Sequence, residues 1–75
     1  MEIYTNKNGQ SGVKSYEIGA DYITVKFNRT AKPYKYSYLG KAGSKHVENM
    51  KHLAIKGAGL NSYINTHVKF KYDVF

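Results

Sequence analysis

Tyr22 to Tyr38 reads YITVKFNRTAKPYKYSY, and this stretch decides the fold. Ile23, Val25 and Phe27 alternate with Tyr22, Thr24 and Lys26, the period of two that marks a half-buried strand. A polar turn, Asn28 to Pro33, follows. The chain then alternates again, with Tyr34, Tyr36 and Tyr38 set against Lys35 and Ser37. Pro33 opens this second strand, where its missing N–H harms a ladder least. The pattern predicts a β-hairpin with one apolar face that other elements must cover.

Upstream, Val13–Ile18 (VKSYEI) reads as a strand of mixed pattern, joined to Tyr22 by the short Gly19-Ala20-Asp21 link. A three-stranded antiparallel meander follows from this, over residues 13–38. Residues 1–12 are polar. Ile3 and Tyr4 are expected to be a short edge strand or part of a flexible arm, and Asn8-Gly9 a tight turn. Downstream, residues 44–66 read as helical. Val47, Met50, Leu53 and Ala54 share one face. Ser44 is the expected N-cap, and Gly57 the left-handed stop. Asn61 is the expected cap of a shorter helix carrying Tyr63, Ile64 and His67. Val68 to Val74 alternates once more, predicting a C-terminal strand over 68–75 that returns to the sheet. The expected fold is α+β, a small antiparallel β-meander of three to four strands with one longer and one shorter helix on one face.

Seventy-five residues make one domain with a thin core. There is no cysteine, which excludes disulfides and thiolate metal sites. Neither a transmembrane-length apolar run nor a signal-peptide pattern is seen, so the expectation is a cytoplasmic protein without membrane contact. Twelve Lys and Arg against five Asp and Glu give a formal charge of +7. Such a field on a small body attracts polyanions. Eleven of those cations are lysine and only Arg29 is arginine. Binding would therefore rest on backbone phosphates more than on base readout.

The two sides of the hairpin leave two arrangements open. Tyrosines packed inward leave a basic outer face of Lys26 and Lys35, joined by Lys69 and Lys71 if the last strand pairs. Tyrosines facing outward make an aromatic platform of the kind that stacks single-stranded bases. Tyr36 reads as buried and Tyr22 as exposed, since Tyr22 alternates away from the apolar side. The nucleic-acid-binding candidates are Lys26, Arg29, Lys35, Lys69, Lys71, Tyr22, Tyr34 and Tyr36. No catalytic constellation is expected. His46 and His52 are six apart and do not share a helical face as an i, i+4 metal pair would, and no glycine-rich phosphate loop occurs. The histidines read as surface or cap residues, with no metal and no cofactor.

Val13-x-Ser15, Ile18-Gly19, Ile23-x-Val25-x-Phe27, Tyr34-x-Tyr36, Leu53-Ala54, Gly57 and Leu60-Asn61 with Ile64 together resemble the KTSC domain family, over residues 13–64. That small domain takes its name from the C-terminus of some lysyl-tRNA synthetases, and YxY is its signature. The chain departs from the family's pattern at Ile55 and Lys56, where serines are usual, and at Leu60, where an aromatic is usual. The resemblance implies a bacterial domain of unknown function, with RNA binding suggested by the fusion. The functional expectation is a non-catalytic basic module binding single-stranded RNA or tRNA. The alternative is a protein-interaction module that pairs with a second copy through a sheet edge.

Overall fold

The computed structural model describes residues 2–5 and 12–73. Four strands, β1 (Glu2–Ile3), β2 (Val13–Ile18), β3 (Tyr22–Phe27) and β4 (Tyr34–Ser37), form one antiparallel sheet in the order β1-β2-β3-β4. Helix α1 (Gly43–Lys56) follows, then α2 (Leu60–Tyr63), which runs directly into a π-helical turn over Ile64–Val68. The expected α+β meander with a longer and a shorter helix is what the chain forms. Its fourth strand, however, comes from the N-terminus and not from the C-terminus.

The mixed pattern of β2 has a local cause. Val13 lies opposite Phe27, but the register shifts at Lys14, so that Ser15 lies opposite Lys26 and Tyr16 opposite Val25. A bulge of this kind inserts one residue and changes the side to which later side chains point. Val13 and Tyr16, three apart, can therefore both pack on the core. Ile23, Val25 and Tyr36 sit at its centre, none more than 1% exposed, with Val47 and Met50 of α1 against them. Tyr38 reaches across to α1, where its hydroxyl donates to Glu48. Glu48 is also paired with Lys51 at 2.8 Å, and Lys51 donates to the carbonyl of Ala20 at 3.1 Å, tying α1 to the β2–β3 turn.

Glycines set the helix boundaries. Gly43 opens α1 with φ +80°, in the left-handed region. The turn therefore falls one residue before Ser44, which lies inside the first turn and does not cap it. Gly57 ends α1 as expected, at φ 80°, its N–H bonded to the carbonyls of Leu53 and Ala54. Gly59, at φ 86°, leads into α2 and takes the place expected for Asn61. Asn61 lies in the helix, with its side chain free for other work. The N-terminal arm closes the back of this corner: the Tyr4 hydroxyl accepts the N–H of Leu60 at 3.3 Å, and Tyr4 is itself buried.

The expected C-terminal strand does not form over its described part. Val68 ends the π turn fully buried, while Phe70 is 75% exposed. Two periods compete here: Val68, Phe70 and Tyr72 alternate, but Ile64, Val68 and Tyr72 are also spaced by four. Burial of Ile64 and Val68 against the core favours the helical period. The chain does return to the sheet, through one backbone bond from the Asp73 N–H to the Lys35 carbonyl on β4 at 2.6 Å. Val74, Phe75 and the Asn8-Gly9 turn lie outside the described residues.

Candidate nucleic-acid interface

Spacing by four along the second helical segment creates three stripes. Ile64 and Val68 point into the core. Tyr63 and His67 share another side, in ring contact at 4.4 Å. Asn61, Asn65 and Lys69 form the third and line a groove with the β3–β4 hairpin. This groove has a volume of about 720 Å³, within the range of small-molecule and nucleotide sites. Its opposite wall carries Phe27, Asn28, Arg29, Thr30 and Tyr34, and Phe70 and Tyr72 close one end. No carboxylate is among its lining residues.

The aromatic wall is itself organised. The Phe27 and Tyr34 rings meet edge-on at 5.7 Å, and Tyr34 meets Tyr72 edge-on at 4.8 Å. Edge-to-face contact keeps such rings fixed relative to one another. Tyr34 and Tyr72 are half-buried, leaving part of each ring open to the groove. Tyr36 forms the floor and is 1% exposed. Burial, followed by the neighbouring Tyr34 and Tyr72 phenols, pushes its pKa to about 12. A side chain so enclosed cannot stack on a base, so Tyr36 leaves the set of contact residues and becomes support.

The remaining expected residues fall into separate groups. Lys26 lies beside Arg29 in a shallow depression that also takes in Lys14, directly behind the groove's lip. Arg29 belongs to both, so Lys14, Lys26 and Arg29 make one cationic strip leading to the groove, with Lys69 on the far lip. Tyr22 and Lys35 sit on the face of the sheet away from the helices, the face that Lys26 also takes farther toward the hairpin end. The Lys35 ammonium lies 4.6 Å from the Tyr22 ring centre, and the Tyr22 hydroxyl donates to Glu17 at 3.4 Å. A Cβ on Gly19 would come within 1.9 Å of the Tyr22 ring, so the ring lies flat on the backbone there. One ring face covers Gly19 and Lys35 holds the ring, which leaves little platform for a base. Lys71 is not among the groove's lining residues and lies near His46, whose pKa is lowered by burial, then by Lys71, His67 and Lys45.

The sequence reading missed the amides Asn61 and Asn65 and the aromatics Phe27, Phe70 and Tyr72 as groove residues. The signal that could have found them is the four-residue step from Asn61 to Asn65 to Lys69, masked by assigning Asn61 to a cap and Lys69 to a strand. Among the described residues no helix is long and apolar enough to cross a membrane. Comparison with protein-family models, curated proteins and solved structures returned no match.

Proposed function

We propose that this chain is a non-catalytic module that binds single-stranded RNA in the groove between the β3–β4 hairpin and the second helical segment. The observation that carries the reading is the groove's lining, which combines fixed aromatic rings, carboxamides and cations without a carboxylate. Each component matches one part of a nucleotide. A base can stack against Tyr34, Tyr72 or the exposed Phe70, an interaction worth about 1–3 kcal/mol per base. Asn61 and Asn65 offer both donors and acceptors to a base edge. Arg29 and Lys69, with Lys26 and Lys14 behind, suit phosphates on either side. The likeness to the KTSC pattern and the +7 charge agree with this reading.

The test is fluorescence anisotropy of a labelled single-stranded RNA titrated with the protein at low salt. Micromolar binding is expected. Tyr34→Ala and Arg29→Gln should each weaken it while circular dichroism stays native, and Lys35→Gln on the opposite face should change it little. Absence of binding at low salt, or equal losses from both faces, refutes the assignment.

A second reading is favoured by one observation on the other side of the molecule. Ile3 and Ile55 are 73% and 70% exposed, and Ile18 is 38% exposed. Ile18 and Ile55 line a depression of about 450 Å³ beside β1, the strand at one end of the sheet order. Pairing of two copies through β1 would cover these side chains. Sedimentation equilibrium decides it: a monomer at high concentration removes the reading, and a dimer broken by Ile3→Lys supports it.

A further inference from the structure

The stripe of the second helical segment that carries Tyr63 and His67 meets α1 in a cluster the groove does not use. His46 of α1 stands opposite Tyr63 and His67, which are four apart on their own segment and so point the same way. The His46 Nδ1 and the Tyr63 hydroxyl are 2.6 Å apart, and Asn49 donates to the same hydroxyl at 3.1 Å. The His46 and His67 ring centres are 5.7 Å apart, with planes 27° from parallel. These two histidines are 21 positions apart in the chain, and only the packing of the two helices brings them together.

From this geometry we infer that His46 and His67 form a two-imidazole binding site for a borderline divalent transition-metal ion, of the class of Cu²⁺, Ni²⁺ and Zn²⁺. An imidazole holds such an ion about 2.0–2.1 Å from its nitrogen, which puts the ring centre roughly 3.2 Å from the ion and two ring centres up to about 6.4 Å apart. The observed separation falls within that span. His46 already has the support that metal-binding histidines need. Its Nδ1 is held by a hydroxyl that is in turn held by an amide, which fixes the ring and leaves Nε2 open. His67 is exposed and makes ring contacts without a hydrogen bond that would pin it, so it can turn a nitrogen toward the same point. Among the described residues no group of three or more His, Cys, Asp or Glu could hold an ion. The site is therefore an open one, with water completing the coordination, and it stands independently of RNA binding.

The test is a titration of the whole chain with ZnCl₂ at pH 7.5, followed by calorimetry and by the histidine ring resonances. One ion per chain is expected, moving His46 and His67 and leaving His52 in place. His46→Ala and His67→Ala should each lower affinity at least tenfold, and Tyr63→Phe, which removes only the support, about tenfold. Cu²⁺ should bind the same site more tightly than Zn²⁺. His52→Ala should bind as the native chain does. Undiminished binding by either His46→Ala or His67→Ala, a loss in His52→Ala, or no response of the His46 ring to Zn²⁺ overturns the assignment. Because both histidines are at the surface of their helices, circular dichroism of each variant separates lost binding from lost folding.

Discussion

The salt dependence of the proposed RNA binding can be worked from the groove itself. Four cations border it: Arg29 and Lys69 on the lips, and Lys14 and Lys26 on the strip behind Arg29. If each neutralises one phosphate of a single strand, log K falls with log salt at a slope of about −2.8, from about 0.7 per contact. Raising salt from about 50 mM to about 200 mM then weakens binding about 50-fold. Arg29→Gln combined with Lys69→Gln removes two contacts, so the slope should drop to about −1.4 and the same salt step should cost only about sevenfold. The other lysines stay in place, and the chain keeps most of its +7 charge. Anisotropy titrations at four or five salt concentrations give both slopes. An unchanged slope in the double variant would mean that phosphates are held elsewhere, whatever happens to the affinity. A native slope much steeper than predicted would point to the whole charged surface and not to these four residues.

Three further outcomes follow from the packing. Gly40→Ala would place a Cβ 2.1 Å from the Asp73 Oδ1; because that oxygen is the end of a side chain and has no hydrogen-bond partner among the described residues, the carboxylate should turn aside at a cost of about 0.5 kcal/mol or less, and loss of slow hydrogen exchange at the Asp73 amide would contradict this. Met50→Ala empties a site that is 0% exposed and should destabilise the fold by about 2–5 kcal/mol in urea unfolding; a loss under 1 kcal/mol would show the core to be loosely filled. The His46 pKa lies below the ordinary 6.5, chiefly through burial, so the unfolded chain binds the proton more readily. The contribution of neutral His46 is therefore present above that ordinary value and is lost as pH falls through the depressed one. A ring-proton titration of His46 with a midpoint at or above the ordinary 6.5 would contradict this.

The strands of the meander were legible because their alternation was strong and their turns short. Ile23, Val25 and Phe27 had one face to cover, and only one register allows it. The left-handed stop at Gly57 was legible for the same reason, since its chemistry is local. The caps were not. Ser44 and Asn61 are good capping residues, but a glycine lies one or two positions before each, and Gly43 and Gly59 take the left-handed turn first. The C-terminal strand misled because Val68 to Val74 carries two periods, and the choice between them depends on where Ile64 and Val68 find a core. The candidate site was half legible. Arg29, Tyr34 and Lys69 do meet in one groove. Tyr36 lies beneath it, Tyr22 and Lys35 hold each other on the opposite face, and Lys71 faces the histidines. Which side each cation would take depended on the helix running through 60–68, and alternation alone concealed it.

The π turn over Ile64–Val68 has a consequence for how this chain can change. Such a turn is what an α-helix becomes when it absorbs one extra residue. Deleting one exposed position there, such as Thr66, would return the turn to ordinary helical spacing and leave the residues beyond it near their present places, because the wider turn is where the extra residue is absorbed. Lys69 would stay on the lip of the groove and Tyr72 against Tyr34, with Leu60 and α1 where they are. A one-residue change of length is therefore absorbed at this point, where the same change in an α-helical turn would swing the lip of the groove by about 100°.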